Sequence, residues 1–198
     1  MKIASNLRIF ITGKTQSGKS YLSAALLSKC QNRIIYDLKR KDFNGLGVII
    51  HNLADLKTAI KNGCNKIIYQ PYDLSEDHFN YFCGFVFTHL KNIMLCVDEV
   101  HKFCTKYKIP SNFNSIVTIG QGDPYNIGVI AITQRPANVH NDVISSSTII
   151  ISFRLNLKSD AEAVTGIDAN AIQKLPHRHF LVFDDRDEDG KAKLHNPI

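Results

Sequence analysis

The sequence predicts an α/β protein with a mainly parallel central sheet and helices on both faces. Short β-rich runs alternate with helical stretches along the chain. The runs Ile9–Thr12, Ile93–Val97, Ile127–Ile132 and Thr148–Phe153 are nearly continuous in apolar residues instead of alternating, the pattern of strands buried on both faces. The first of them enters a glycine-rich turn that opens a helix.

Taken in order, Leu7–Thr12 is the first strand, and the helix Lys19–Cys30 follows its turn, dominated by Ala and Leu. Arg33–Asp37 is a second strand, Leu53–Lys61 is helical and Lys66–Gln70 extended. Glu76–Leu90 is a helix with a wide aromatic face (Phe79, Tyr81, Phe82, Phe85, Phe87), expected in the core. Next come strand Ile93–Val97, helix Glu99–Lys106, strand Ile127–Thr133, a short helix near Asn138–Ile144 and strand Thr148–Phe153. Helical turns in Ser159–Thr165 and Asp168–Lys174 precede a last strand, Phe180–Phe183. Residues 1–190 are expected to form one domain, with 191–198 a flexible tail.

The 198 residues are 44% hydrophobic and 21% charged, which excludes disordered and fibrous classes. No apolar run approaches the ~18 residues that span a bilayer, and Met1–Phe10 lacks a signal-peptide pattern, so no membrane span or leader is expected. The five cysteines are an odd count with none two or three residues apart, which argues for reduced thiols over disulfides or zinc. Cys96, inside an apolar strand, is expected to behave as a small hydrophobe. His177 and His179 lack a third ligand for a metal site. The net charge of +6 conceals an acidic turn at Asp184–Asp189; residues 1–183 hold 21 Lys/Arg against 13 acids. A basic body of this kind suits either a polyanionic partner or a solvated surface.

Gly13-Lys14-Thr15-Gln16-Ser17-Gly18-Lys19-Ser20 matches the phosphate-binding pattern G-x-x-x-x-G-K-[ST], with a buried strand before it and a helix after. Gly13 and Gly18 permit backbone angles that turn successive N–H groups into one concavity, at the positive end of the following helix. Lys19 is expected to bridge the β- and γ-phosphates and Ser20 to coordinate Mg²⁺, while Lys14 is a solvated loop lysine.

The strand Ile93–Val97 ends in Asp98-Glu99. Paired acids at a buried strand tip are expensive unless a cation or water uses them. Asp98 is expected to orient the Mg²⁺ shell through water, and Glu99 to align the water that attacks the γ-phosphate; Glu99 as a cap on the next helix is the alternative. The strand Ile127–Thr133 leads into Gln134-Arg135-Pro136, where Gln134 either contacts the γ-phosphate and the lytic water or shapes the turn.

In this order the motifs resemble the FtsK–HerA superfamily of RecA-like ring ATPases, and among them the genome-packaging ATPases of internal-membrane double-stranded DNA viruses. The resemblance rests on Gly13–Ser20, Ile35-Tyr36-Asp37-Leu38-Lys39, Asp98-Glu99-Val100-His101-Lys102-Phe103 and Ala131-Ile132-Thr133-Gln134-Arg135-Pro136. It is carried further by Phe153-Arg154-Leu155 and Leu175-Pro176 before Phe180-Leu181-Val182. It implies a RecA-like domain that assembles as a hexameric ring and hydrolyses ATP with Mg²⁺ to move double-stranded DNA into a capsid. A capsid, portal or membrane protein of the virion would be a partner, and the site of action the infected cell's cytoplasm or the packaging vertex.

Such rings commonly receive an arginine in trans. Where many relatives carry a Gly-Arg element this chain has Gly120-Gln121-Gly122, and no arginine lies between Arg40 and Arg135. The finger is then Arg154, Arg135, Arg178 or a lysine; Arg154 is favoured because an arginine in a Phe-Arg-Leu strand has no packing reason. Arg135 is equally suited to pairing with a carboxylate. For DNA, Lys102 and Lys106 lie four apart on the expected helix after Glu99, with Lys108 close behind; Lys39-Arg40-Lys41 is a second cluster. Both clusters also fit solvated faces. A Zot-like assembly ATPase of filamentous phages and a small-molecule kinase are the alternative readings. The first usually has a membrane segment, and the second needs an arginine-rich lid that seven scattered arginines do not suggest.

Overall fold

A computed structural model describes residues 4–197. The strands are β1 (Arg8–Thr12), β2 (Arg33–Tyr36), β3 (Val48–Ile50), β4 (Lys66–Tyr69), β5 (Ile93–Val97), β6 (Ile127–Thr133), β7 (Ile149–Phe153), β8 (Phe180–Asp184) and β9 (Lys193–His195). The helices are α1 (Lys19–Ser28), α2 (Leu53–Lys61), α3 (Glu76–His89), α4 (Ser111–Thr118), α5 (Asn141–Ser145), α6 (Lys158–Glu162) and α7 (Ala169–Lys174). The strands form one sheet in the order β3-β4-β2-β5-β6-β1-β7-β8-β9. Every pair from β3 to β7 is parallel, and β8 and β9 are antiparallel additions.

Burial explains the continuous apolar runs. Phe10 packs with Tyr36, Phe79 and Val97 on one face of the sheet, while Ile9 and Ile11 pack with Leu22, Leu26 and Leu27 of α1 on the other. Each such fully buried side chain contributes roughly 1.5–3 kcal/mol relative to exposure. Phe79 and Phe82 of α3 are buried against Tyr36, as expected for a core face, and Tyr81 points outward. No helix among the described residues is long and apolar enough to cross a membrane.

The order of the strands positions the site. β5, β6, β1 and β7 are consecutive, so their carboxyl ends meet at one edge, with the β2 tip next to that of β5. Thr12 pairs with Thr133 and Val97 with Ala131, which brings the tips of β1, β5 and β6 to nearly the same level.

Two expectations are corrected, and one strand is added. No helix runs over Glu99–Lys106: Glu99 adopts a left-handed φ of 50°, one 3-10 turn spans Val100–Lys102, and a tight turn closed by a Thr105–Lys108 bridge follows. Burial of Phe103 and Cys104 pulls the chain back to the core there, and the helix forms later, as α4. Residues 191–198 are not wholly a loose tail, because β9 pairs with β8 and His195 stacks on Phe180, covering what would be an unpaired sheet edge. The short strand β3 was not expected; it is three residues long and half exposed, too brief for a pattern.

Candidate active site

The loop between β1 and α1 is built around its two outer glycines. Gly13 has φ +151°, and a Cβ there would lie 2.5 Å from Cβ of Phe153 at the end of β7. Gly18 has φ +108° and caps α1 in the left-handed region. The Lys14 N–H donates to the carbonyl of Arg154 at 2.9 Å, which ties the loop to the β7 tip. Residues Thr15 to Ser20 line a cavity of about 640 Å³ whose other walls include Lys39, Asp42, Glu99, Gln134, Phe153 and Arg178. Gly13 and Lys14 stand behind it, so their contribution is backbone geometry.

The Lys19 side chain is buried, and its Nζ donates to the carbonyls of Gly13 at 2.7 Å and Lys14 at 2.8 Å. The loop thus closes on its own lysine, an arrangement that phosphate oxygens can replace. Burial lowers the Lys19 pKa to about 8, with Glu99 pulling the other way. Ser20 Oγ donates to Asp42 Oδ2 at 2.8 Å, and Thr15 Oγ1 lies 2.6 Å from Gln134 Oε1.

Asp98 and Glu99 are almost fully buried at the β5 tip. Lys39 Nζ joins them, 3.2 Å from Asp98 Oδ1 and 2.7 Å from Glu99 Oε1. Burial raises the Asp98 carboxyl to about 6 and Lys39 restrains that rise. Asp98 Oδ2 and Glu99 Oε2 have no hydrogen-bond partner, although His101 Nδ1 stands 3.4 Å from the latter. His101 Nδ1 is also 2.9 Å from Thr133 Oγ1, which accepts the Arg135 N–H at 3.0 Å. Burial lowers the His101 pKa, and the ring stands between Glu99 and the β6 tip with its hydrogen bond on the β6 side. The left-handed backbone at Glu99 is the strained point from which its side chain reaches the cavity.

The loop, Glu99 and Gln134 therefore converge on one cavity, with Asp98 directly behind. The arginines separate. Arg135 Nε lies 3.3 Å from Asp160 Oδ2, a buried carboxylate of the same chain, so that guanidinium is engaged in cis. Arg154 is exposed beside the loop, and its side chain has no ion pair or hydrogen bond among the described residues. Arg178 is on the cavity wall. Without the expected helix, Lys102 and Lys106 do not share a helical face. Lys108 pairs with Glu76 at 2.6 Å, and Lys106 sits over the ring of Tyr107, which is 88% exposed at the turn. The second basic cluster dissolves too: Lys39 turns to the carboxylates and Arg40 to the carbonyl of Pro71 and the Tyr72 ring.

Sequence reasoning missed Lys39, Asp42 and His101 as members of the site. The signal for Lys39 was its place just past the second strand, but only the strand order reveals that this strand lies beside β5.

No protein-family profile matches the chain, and no curated protein matches it by sequence. Solved structures do. The genome-packaging NTPase B204 from Sulfolobus turreted icosahedral virus 2, in complex with AMPPCP, superposes with a TM-score of 0.80 at 21% identity, covering 98% of this chain and 99% of that one. VirB4 of Thermoanaerobacter pseudethanolicus gives 0.69 at 10% identity over 96% and 89% of the two chains. EssC (ATPases 2 and 3) from Geobacillus thermodenitrificans gives 0.58 at 14% identity over 96% and 39%. At such identities the likeness establishes the fold alone: this chain shares the architecture of B204 and VirB4 over nearly its whole length.

Proposed function

We propose that this protein is an ATPase that translocates double-stranded DNA, working as a homo-hexameric ring to package a viral genome. The observation that carries this reading is the convergence of Lys19, Ser20, Glu99 and Gln134 on a single cavity at the carboxyl edge of the sheet. Each is the residue type that phosphoryl transfer to water requires. The end-to-end likeness to B204, a DNA-packaging ATPase whose structures hold AMPPCP and ATP-γS, favours packaging over secretion. EssC matches this chain over 39% of its own length.

In this reading the triphosphate takes the place of the Gly13 and Lys14 carbonyls at Lys19, and the loop N–H groups cradle it at the N-terminus of α1. Ser20 and, through water, Asp98 would hold Mg²⁺; the hydroxyl, the Asp42 carboxylate beside it and the unpartnered Asp98 Oδ2 are the hard oxygen donors that cation takes. When bound, the ion would supply positive charge that offsets the negative charge of the phosphates. Glu99 accepts the proton of the attacking water, and Gln134 donates to the γ-phosphate. Arg154, on the rim, serves the γ-phosphate of a neighbouring subunit. Lys102 and Lys106 contact DNA phosphates, with Lys108 contributing once freed from Glu76. A capsid or portal protein completes the motor at the packaging vertex, in the infected cell.

The test is phosphate release from Mg·ATP with water as the sole acceptor, with and without long duplex DNA. Hydrolysis stimulated by DNA is expected. Transfer that requires a small-molecule acceptor and ignores DNA overturns the reading in favour of a kinase.

A further inference from the structure

Lys39 is mounted more firmly than a surface lysine needs to be. The buried Asp37 carboxylate accepts the backbone N–H groups of Lys39 at 3.1 Å and Arg40 at 3.0 Å on one oxygen, and the Gln70 amide at 2.9 Å on the other. Arg40 turns the chain at φ 58°, and the result is a fixed platform beyond β2 that aims the Lys39 side chain across to the tip of β5. There the ammonium spends two donors on Asp98 Oδ1 and Glu99 Oε1. Asp42 Oδ2, at 3.9 Å, is beyond hydrogen-bond distance, so the third donor has no close acceptor, and the residue faces the same cavity as Lys19 and Gln134.

Charge makes this placement consequential. Asp98 and Glu99 would be two adjacent buried anions, and a terminal phosphate arriving beside them would meet their repulsion. A lysine that holds both carboxylates and itself lines the cavity offsets that repulsion before the phosphate arrives.

We propose that Lys39 is a γ-phosphate sensor acting within its own subunit: it bridges Asp98 and Glu99 when the cavity is empty, and Glu99 and the terminal phosphate when a nucleoside triphosphate is bound. The proposal rests on the ATPase reading above and names the group in the site that separates triphosphate from diphosphate. Exchange of Asp98 for phosphate oxygen leaves Lys39 on Glu99, so the arrival of the γ-phosphate sets the position of the carboxylate that activates water. Lys39 is then unavailable for DNA.

The test compares the affinities of the full chain for AMPPCP and ADP, both with Mg²⁺, in wild type, Lys39→Met and Lys39→Arg. Wild type is expected to prefer AMPPCP. Lys39→Met should lose about tenfold of that preference while ADP affinity stays within about threefold, the scale of one charge-assisted hydrogen bond. Lys39→Arg, which keeps the charge, should recover part of it. An unchanged preference in Lys39→Met overturns the proposal and makes the lysine a structural counter-ion, with the ATPase reading intact. Wild type that binds neither nucleotide overturns the ATPase reading itself. Should Lys39→Met not fold, acylation footprinting of wild-type lysines decides: Lys39 is expected to be more shielded with AMPPCP than with ADP, and equal labelling refutes the sensor.

Discussion

Thr15 Oγ1 donates to Gln134 Oε1 at 2.6 Å, joining the tip of the phosphate loop to the end of β6 across 119 positions of sequence. With its oxygen engaged, the Gln134 amide directs its NH₂ group, a donor only, to the cavity. In the ATPase reading proposed above, a donor held in that way would act on charge that develops at the γ-phosphate. Gln134→Ala is therefore expected to lower kcat by about 10- to 100-fold with KM within about threefold. Gln134→Glu, which keeps an acceptor for Thr15 but adds negative charge, should lower nucleotide affinity as well. Steady-state phosphate release together with AMPPCP titration checks both.

Glu99 forms no hydrogen bond or ion pair with Gly13–Ser20 among the described residues, so in the ATPase reading its chemistry and nucleotide binding should separate. Glu99→Gln preserves the shape and a partner for His101 but removes the proton acceptor. The expected result is a fall in kcat of about 10²-fold or more, with AMPPCP affinity equal to or above that of wild type because a buried negative charge has gone. Equal losses in binding and turnover would assign Glu99 to the phosphate cradle instead.

The depressed pKa of Lys19 gives nucleotide affinity a pH dependence of definite sign. Below about 8 the ammonium is already formed, and affinity should be flat. A bound phosphate favours the charged form and raises this pKa, so above about 8 binding must take up a proton and affinity falls by up to about tenfold per pH unit. Calorimetric titration with AMPPCP in two buffers of different ionisation enthalpy reads the proton directly. No uptake at pH 9 would show that Lys19 stays charged in the empty loop.

How much of this was legible without coordinates follows from the range of each interaction. Gly13–Ser20 reads directly because one turn, one nest and one helix N-terminus are local chemistry. Asp98 and Glu99 read because two acids at the end of Ile93–Val97 conflict with burial. Lys39 reads only as part of a basic cluster, since its partners lie 59 and 60 residues away and meet it only through the β2–β5 adjacency. The helix expected after Glu99 failed for a different reason. The composition of Val100–Lys106 permits a helix, but the left-handed Glu99 and the buried Phe103 and Cys104 override propensity, and tertiary demands of this kind leave no periodic trace. For the same reason Lys102 and Lys106, four apart in sequence, share no helical face.

Arg135 and Arg154 both follow strand ends at the site, and their partners give them different fates. Asp160 is 4% exposed in its side chain, forms an ion pair with the Arg135 guanidinium and accepts the Ala137 N–H, so Arg135→Ala leaves a buried carboxylate short of a partner. Because the Arg135 side chain is 47% exposed and water can replace part of the pair, the loss should be about 1 kcal/mol. It would appear as a lower urea midpoint at unchanged slope, with turnover per folded subunit nearly intact. Arg154 has no such partner among the described residues, and Arg154→Ala should leave the urea midpoint where it was while turnover of the assembled ring falls. Complementation then identifies the site it serves. Arg154→Ala subunits keep a sound Lys19, and Lys19→Ala subunits keep a sound Arg154, so a mixed ring contains some interfaces in which both are intact. Recovery of phosphate release on mixing two inactive preparations is expected. A mixture as inactive as its parts would mean that Arg154 is no trans finger, leaving Arg178 on the cavity wall as the arginine to substitute next.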